Sequence, residues 1–328
     1  MHKFFSKKKV LITGGLGFIG STLARRLAQW HADIILVDSL IPEYGGNLRN
    51  IAGIEKKVKV DIADIRDEHS MSYLIQGQDY LFNLAGQNSH QDSMTDPYTD
   101  LEINCRSQLS ILEACRKKNS SIKIVYASTR QIYGIPDYLP VDEKHLLHPT
   151  DVNGINKMAG EWYHILYNNV YGIQACALRL TNTYGPRMRV KDARQTFLGW
   201  WLNQIIKGDE IQIYGDGKQL RDFNYVDDVI EALILAAVSE QANGKIFNMG
   251  DTQHIALLKL AEMLIKINGQ GCYKLVPFPP ERKKIDIGDY YSDFRLIQNT
   301  LGWEPKVDLQ EGLKRTLAYY RENREFYF

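Results

Sequence analysis

A predicted strand, a glycine-rich turn and an apolar helical pattern follow one another near the start of this chain. Residues 10–12 are Val-Leu-Ile, which predicts a buried strand, and glycines at positions 14, 15, 17 and 20 come directly after it. Their spacing satisfies both G-x-x-G-x-x-G and G-x-G-x-x-G. Glycines permit a tight turn and a close approach of the backbone, and a helix N-terminus offers free N–H groups. This unit is therefore suited to holding a pyrophosphate.

Further short apolar segments alternate with helical patterns through the first half of the chain. The segments cover residues 34–37, 58–60, 80–82 and 122–127, and a long helical pattern runs from about 104 to 117. Such alternation is typical of a parallel sheet covered by helices on both faces, in a Rossmann-type doubly wound α/β fold. We predict a dinucleotide-binding domain over residues 1–180, to which some later segments return, and a smaller C-terminal α/β substrate-binding domain over residues 181–328.

The composition excludes several classes of function. Among 328 residues, 40 Lys and Arg balance 39 Asp and Glu, which gives no electrostatic basis for binding nucleic acid or a membrane surface. The four cysteines form no C-x-x-C pair and no histidine cluster accompanies them, so neither a disulfide framework nor a metal site is expected. Apolar segments are too short for a membrane span or a signal peptide, and a cytoplasmic protein is predicted.

The residues that end the next strands favour NAD as the ligand of the glycine-rich turn. Asp38 ends the second predicted strand, where a carboxylate accepts hydrogen bonds from both ribose hydroxyls and repels a 2′-phosphate. Asp64 and Ile65 follow the third strand and suit the adenine ring, although an ordinary helix-capping Asp would fit the same spacing. Leu84, Ala85 and Gly86 end the fourth strand, which suits either a passing cofactor or tight packing. The predicted cofactor-binding residues on these segments are Gly14, Gly17, Phe18, Ile19, Gly20, Asp38, Asp64, Ile65, Leu84, Ala85 and Gly86.

Six ordered segments resemble the extended short-chain dehydrogenase/reductase family, the nucleotide-sugar epimerases and dehydratases. They lie at residues 13–20, 63–67, 128–134, 178–187, 215–229 and 301–305, and the most specific is GDGKQLRDFNYVDDV at 215–229. In that family, tightly held NAD takes a hydride from a sugar carbon while the tyrosine of a Y-x-x-x-K motif takes the hydroxyl proton. The resemblance implies that Lys157 binds the nicotinamide ribose and that Thr129 contacts the reacting oxygen.

The chain departs from this family at the tyrosine, because the motif here reads Asn153-Gly154-Ile155-Asn156-Lys157. An amide has no proton equilibrium near neutral pH, so Asn153 cannot be the general base. Three readings remain open. Redox chemistry persists with another proton acceptor, the protein performs only proton transfers, or it binds its ligands without turnover. For the first reading the candidate acceptors are Lys157, Tyr133, His145, His148 and a water held by Thr129 and Asn153.

The resemblance also implies a set of substrate-binding residues. These are Ser93, Thr129, Asn182, Arg221 and Arg282. Guanidinium groups bind a diphosphate bidentately, which suits the two arginines. Asn182 would alternatively cap a turn before Gly185, and the role of Arg282 could shift to Lys283. Arg130 and Gln131 stand where 4,6-dehydratases of the family carry an Asp-Glu pair, and neither residue can replace that acid and base.

We therefore expect an NAD-dependent nucleotide-sugar epimerase, similar to UDP-glucose 4-epimerases, that acts through a transient keto-sugar with an atypical N-x-x-x-K motif. Its substrate would be a nucleoside-diphosphate sugar, with a UDP-sugar favoured. A catalytically silent binding or regulatory protein and a nucleotide-sugar dehydratase or decarboxylase are the alternatives. The resemblance further implies a homodimer formed by the helices near residues 104–117 and 151–170.

Overall fold

Twelve strands and fourteen helices make up the molecule, for which the computed structural model describes residues 2–328. The strands are β1 (Lys9–Thr13), β2 (Asp33–Asp38), β3 (Val58–Ile62), β4 (Tyr80–Asn83), β5 (Lys123–Thr129), β6 (Ala175–Leu180), β7 (Asn182–Tyr184), β8 (Ile211–Tyr214), β9 (Leu220–Tyr225), β10 (Ile246–Asn248), β11 (His254–Ala256) and β12 (Tyr273–Val276). The helices are α1 (His2–Phe5), α2 (Phe18–Gln29), α3 (Glu68–Leu74), α4 (His90–Thr95), α5 (Pro97–Leu101), α6 (Ser107–Lys118), α7 (Val152–Tyr171), α8 (Phe197–Lys207), α9 (Val226–Val238), α10 (Leu257–Asn268), α11 (Pro280–Lys284), α12 (Arg295–Leu301), α13 (Leu309–Glu322) and α14 (Arg324–Tyr327).

Seven of the strands form one parallel sheet in the order β10-β6-β5-β4-β1-β2-β3. The five strands predicted from apolar segments are confirmed as β1 to β5. In β1, Val10 and Ile12 pack in one hydrophobic cluster and Leu11 in another, so both faces of the sheet are covered. The predicted Rossmann-type α/β class is therefore confirmed.

The chain after residue 180 contributes both to this sheet and to smaller ones. Strand β10 pairs with β6 and completes one edge of the seven-stranded sheet. Strands β11, β9 and β7 form a three-stranded sheet, and β12 pairs with β8. The sequence-based division into residues 1–180 and 181–328 stays a prediction. No helix within residues 2–328 has both the length and the apolar character needed to cross a membrane.

Helix α7 carries positions 153 and 157, and a buried ion pair fixes its place against the sheet. Glu161 of α7 accepts two hydrogen bonds from the Arg179 guanidinium on β6, at 2.6 and 2.9 Å, and both side chains are buried. Asp151 precedes the helix and caps it, because its carboxylate accepts a hydrogen bond from the Gly154 N–H at 2.7 Å. The N-terminal turn of α7 is therefore anchored where β5 ends.

The loop after β4 is tied to β1 through one hydroxyl. Thr13 Oγ1 donates to Asn83 Oδ1 at 2.9 Å and accepts from the backbone N–H groups of Leu84 and Ala85. These bonds place Leu84, Ala85 and Gly86 against the glycine-rich turn at the carboxyl edge of the sheet, which is where open α/β sheets bind their ligands.

Candidate functional site

Two adjoining cavities lie at the carboxyl edge of the parallel sheet. The smaller has a volume of about 150 Å³ and the larger about 710 Å³. Phe18, Ile19 and Leu84 line both, so the two spaces are continuous. The smaller cavity is lined by all eleven residues predicted from the glycine-rich turn and the ends of strands two to four. Lys157, Thr129 and Asn153 line the larger cavity.

The glycine-rich turn has the geometry that its spacing predicts. Gly14 has a φ of +66°, a left-handed conformation that favours glycine. A Cβ on Gly15 would lie 2.6 Å from the Leu36 Cβ, and one on Gly20 would collide with the Gly14 carbonyl oxygen. Helix α2 begins at Phe18, so its free N–H groups and positive dipole end face the smaller cavity.

Asp38 is held rigidly at the edge of the smaller cavity. Its carboxylate accepts hydrogen bonds from the backbone N–H of Leu16 at 3.1 Å and of Leu40 at 3.0 Å. Burial raises the pKa of this carboxyl, against the opposing effect of the two backbone bonds. The group is thus a largely desolvated acceptor in a fixed position, as a ribose-binding carboxylate requires.

Asp64 also lines the smaller cavity, and the alternative interpretation that it caps a helix is wrong. The Arg66 guanidinium donates to both carboxylate oxygens of Asp64, at 3.0 and 2.6 Å. Asp67 caps α3 instead, because its carboxylate accepts from the His69 N–H at 3.0 Å. Asp64 and Ile65 therefore remain available to the cavity.

Lys157 lines the larger cavity close to the smaller one, and its amine makes a single hydrogen bond within residues 2–328. Its Nζ donates to the Ala127 carbonyl oxygen at 3.1 Å. Burial lowers the pKa of this amine to about 8, more strongly than the nearby Asp100 carboxylate raises it. A Cβ on Gly86 would lie 2.8 Å from Nζ and 2.9 Å from Asn104 Oδ1, so glycine at this position leaves the amine room.

Asn153 is held by a buried cluster of amides around one carboxylate. Its Nδ2 donates to the Gln87 carbonyl oxygen at 2.7 Å and to Asp100 Oδ2 at 3.0 Å. Asp100 also accepts from Asn104 Nδ2 at 3.1 Å and from Asn156 Nδ2 at 2.8 Å. Both N–H donors of the Asn153 amide are therefore used, and its Oδ1 is the polar atom left for a ligand.

Three of the proton acceptors suggested by the sequence lie outside both cavities, and those hypotheses are wrong. The Tyr133 hydroxyl donates to Asn248 Oδ1 at 2.7 Å in the protein interior, and burial raises its pKa. His145 Nε2 accepts from the Asp137 N–H at 2.8 Å, and His148 is exposed on a loop. None of the three lines either cavity.

His90 is a cavity residue that sequence reasoning missed. It begins α4 and lines the larger cavity, and its Nδ1 lies 3.0 Å from Asp151 Oδ2. The one available signal was a histidine shortly after the fourth predicted strand. Because Asp151 follows much later in the chain, no local pattern indicated the pair.

The substrate-binding predictions fall into two groups. Thr129, Asn182, Arg221 and Arg282 line the larger cavity. Ser93 does not, because it is fully buried and its hydroxyl donates to the His90 carbonyl oxygen at 2.7 Å and accepts from the Asn153 N–H at 3.2 Å. Ser93 therefore positions the loop and the helix instead of facing a ligand, which corrects its assignment to the substrate-binding set.

Asn182 links two elements and does not cap a turn, so that alternative is wrong. Its Nδ2 donates to the Asp222 carbonyl oxygen at 2.9 Å, and its Oδ1 accepts from Arg130 Nη2 at 3.1 Å. The Arg130 guanidinium lies 5.1 Å from the Tyr290 ring centre. Its Nη1 is buried and has no hydrogen-bond partner within residues 2–328, and burial lowers the pKa of the group. The larger cavity is thus bordered by a cation with an unused donor.

Two further arginines line the larger cavity. Arg221 donates to the Leu220 carbonyl oxygen at 2.8 Å and lies 3.7 Å from Asp286, and burial lowers its pKa to about 10. Arg282 lies 5.3 Å from the ring centre of Tyr214, which faces Phe278. Lys283 is exposed and does not line the cavity, so the position that faces it is Arg282.

The residues at the smaller cavity fit a dinucleotide. Glycines and a helix N-terminus provide a pyrophosphate cradle, and Asp38 provides a fixed ribose acceptor. Close to Gly86, which lines the smaller cavity, Asn104 Oδ1 is buried without a partner in the described part of the chain, and Lys157 has spare N–H donors. These groups would hold the nicotinamide end, beside the larger cavity.

The model of the NAD-dependent epimerase/dehydratase family matches residues 10–250. The UDP-glucose 4-epimerase of Mycolicibacterium smegmatis is 28% identical over 323 residues, which cover 97% of this chain and all of that protein. The structure of the UDP-glucose 4-epimerase of Thermotoga maritima with UDP-glucose has a TM-score of 0.87 and 31% identity, covering 96% of this chain and 99% of that one. The dTDP-glucose 4,6-dehydratase of Streptomyces venezuelae, solved with NAD bound, has a TM-score of 0.89 and 25% identity, covering 97% and 98%. The chain therefore belongs to the NAD-dependent epimerase/dehydratase family of extended short-chain dehydrogenases/reductases, enzymes of the isomerase or lyase class that use NAD as their cofactor.

Proposed function

We propose that this protein is a nucleotide-sugar epimerase that acts through a transient keto-sugar on a UDP-sugar. The observation that carries the proposal is the continuity of the two cavities, with Lys157 and Thr129 in the lining of the larger one. Bound NAD supplies the chemistry of a reversible hydride acceptor. The larger cavity, of about 710 Å³, is in the size range of sites for nucleotide-sized ligands.

The polar groups of the larger cavity support a diphosphate sugar as its ligand. Arg221 and Arg282 supply cations for the diphosphate, and the Tyr214 and Phe278 rings suit stacking of the nucleotide base. Thr129 ends β5 and carries a hydroxyl that can contact the reacting sugar oxygen. The structures with UDP-glucose and with UDP-N-acetylmuramic acid in related epimerases are consistent with this ligand class.

Epimerisation is favoured over dehydration by the two residues after Thr129. Elimination of water requires an acid and a base, and Arg130 and Gln131 provide neither. Gln131 Nε2 instead donates to Asp151 Oδ2 at 2.8 Å, and the Arg130 guanidinium donates to Asn182. Both side chains are thus part of the wall of the cavity.

The proposal is tested by incubating the purified protein with UDP-glucose, UDP-galactose, UDP-N-acetylglucosamine and UDP-glucuronate in deuterated water. Epimerisation through direct hydride return predicts a new epimer without deuterium on its carbons. Solvent deuterium in a product would support a dehydratase or another proton-transfer reaction. Binding of these sugars by calorimetry, with no new product and no absorbance of reduced NAD, would support a silent binding protein and overturn the proposal.

We further propose that the protein is a homodimer that associates through α5 and α7. Helix α7 leaves Ile155, Trp162, Leu166 and Val170 exposed, and α5 leaves Tyr98 exposed. The α7 residues recur at intervals that place them along one side of the helix, which makes an apolar surface there. A second copy of the same surface would cover it by two-fold symmetry.

A further inference from the structure

A histidine and a carboxylate stand beside the position where a catalytic tyrosine is absent. Asp151 is completely buried, and two bonds independent of the histidine fix its carboxylate: the Gly154 N–H donates at 2.7 Å and Gln131 Nε2 donates at 2.8 Å. His90 Nδ1 lies at ion-pair distance, 3.0 Å, from this carboxylate. The buried carboxylate thus lies beside one ring nitrogen, which makes no hydrogen bond within residues 2–328, and the other nitrogen is left for a ligand.

The pair is joined directly to Asn153. Ser93 Oγ donates to the His90 carbonyl oxygen and accepts from the Asn153 N–H, so the two backbones are connected through one hydroxyl. Asp151 caps the same helical turn that carries Asn153. The His90 side chain is 37% exposed, and it lines the larger cavity together with Thr129 and Asn153. His90 is therefore accessible from the space that a sugar would fill.

Lys157, a titratable group on the same helix as Asn153, lies toward the smaller cavity. Its Nζ is turned to the Ala127 carbonyl oxygen and closely approaches Gly86, which lines the smaller cavity. Asn153 has used both of its N–H donors and has no proton to exchange. His90 is thus an imidazole that lines the larger cavity beside Asn153, and an imidazole nitrogen can accept and return a proton.

We propose that His90, held by Asp151, transfers the proton that the absent tyrosine would transfer, and this inference depends on the proposed function. As the sugar is oxidised, its O–H and geminal C–H bonds break and a C=O bond forms. The proton goes to His90 Nε2, and the electron pair leaves as the hydride that bound NAD accepts. The Asp151 carboxylate would stabilise the resulting imidazolium. Return of the hydride to the opposite face of the C=O group, with return of the proton to its oxygen, would give the epimer. His90 is then a catalytic residue, and Asp151 is a positioning residue.

The first test compares His90→Gln, His90→Ala and Asp151→Asn with the unmodified holoenzyme, using UDP-glucose as the probe. Since general acid–base catalysis contributes about 10²–10⁴-fold, His90→Gln should lower kcat by roughly that factor while the Kd for UDP-glucose changes little. Added imidazole should partly restore His90→Ala. Asp151→Asn retains the cap of α7 and should lower kcat less than His90→Gln, without rescue by imidazole. His148→Gln, on the exposed loop, is the matched control and should behave as the unmodified protein.

Retention of kcat in His90→Gln, or absence of imidazole rescue in a folded His90→Ala, would overturn the assignment. A second measurement does not need turnover: nitrogen NMR of imidazole-labelled protein with bound NAD. UDP-glucose should shift the Nε2 signal that is missing in His90→Gln, and Asp151→Asn should shift the Nδ1 signal. An inert enzyme whose His90 signal still responds to UDP-glucose would refute the epimerase function alone. A His90 signal that ignores bound UDP-glucose would refute the role of His90.

Discussion

The Asn153 amide donates a 3.0 Å hydrogen bond to the buried carboxylate of Asp100, so the residue at the expected tyrosine position is part of the protein interior. Its second N–H donates to the Gln87 carbonyl oxygen at 2.7 Å. These two hydrogen bonds give the Asn153 amide a structural role of its own, so the position is more than one from which a catalytic group was lost. The larger cavity is therefore lined by a structurally integrated amide at the position of the family's tyrosine.

The substitution Asn153→Tyr should therefore not raise turnover. A tyrosine cannot replace the two donated hydrogen bonds, and leaving Asp100 and the Gln87 carbonyl each short of a donor costs roughly 1–3 kcal/mol of unfolding free energy. Denaturant unfolding and turnover of UDP-glucose, measured on the same preparations, check both parts. Asn153→Ala serves as the control for loss of the amide without an added ring. A gain in kcat would show that restoring the tyrosine is sufficient.

The substitution Arg130→Met should weaken binding of UDP-glucose by about 10–100-fold, because hydrogen bonds to charged groups contribute roughly 1.5–3 kcal/mol. Arg130 Nη1 has no partner within residues 2–328, and no carboxylate there forms an ion pair with this guanidinium. Removing an uncompensated buried cation should leave the thermal midpoint of the unliganded protein unchanged or raised.

Calorimetry with UDP-glucose and thermal unfolding are the measurements for Arg130. The exposed Lys283→Met is the matched control, since it removes one positive charge outside the cavity. Unaltered affinity together with a large loss of stability would mean that Arg130 acts through its contacts with Asn182 and Tyr290 alone.

Lys157 should make stability rise with pH in alkaline solution. Its folded-state pKa of about 8 lies below the unfolded value of about 10.4, so between these values the unfolded chain binds more protons than the folded one. The cost of burying the charged amine is fully present below about pH 8, and it disappears as pH rises to about 10.4. Its magnitude is on the order of 3 kcal/mol.

The difference in unfolding free energy between the unmodified protein and Lys157→Met isolates this contribution, because the other titrating groups are common to both. Both proteins are measured with matched NAD content. The advantage of methionine should shrink steadily as pH increases across the window. A difference independent of pH would contradict the lowered pKa.

The substitution Trp162→Glu should convert a dimer into monomers without loss of secondary structure. Trp162 is exposed in the middle of the apolar surface on α7, and a charge there has no partner when two copies meet. Sedimentation velocity measures the change. Tyr73→Glu, at a more exposed aromatic site on α3, is the control and should remain dimeric. An unmodified protein that sediments as a monomer would refute the dimer.

The fold and the cofactor cavity were predictable because their signals are local in the sequence. The strand, the glycines and Asp38 occupy short consecutive segments whose spacing alone specifies a turn, a helix start and a strand end. The predicted strands and the lining of the smaller cavity follow from such patterns. The absence of the tyrosine was also evident from the sequence, because the family motif places it four residues before the lysine, where this chain has Asn153.

The partners of Asn153 could not be predicted, because they come from segments far apart in the chain. Asp100 and Gln87 precede it by 53 and 66 residues, and the packing of α5 against α7 brings Asp100 to it. The same holds for His90 and Asp151. Ser93 was assigned to the ligand from family position, whereas packing turned its hydroxyl inward.

Helix α5 is the start of a helix that continues without interruption through residues 102–118, and its side chains face two ways. Its Asp100 reaches inward to the amides beside the sugar pocket, whereas Tyr98 and Leu101 point outward on the surface proposed to meet a second copy. The contact between subunits and the position of the Asp100 carboxylate would then both depend on this one turn of helix. Because separated subunits would no longer hold that turn in place, we expect turnover per chain to fall on dilution. An assay across a wide range of enzyme concentrations would reveal the decrease.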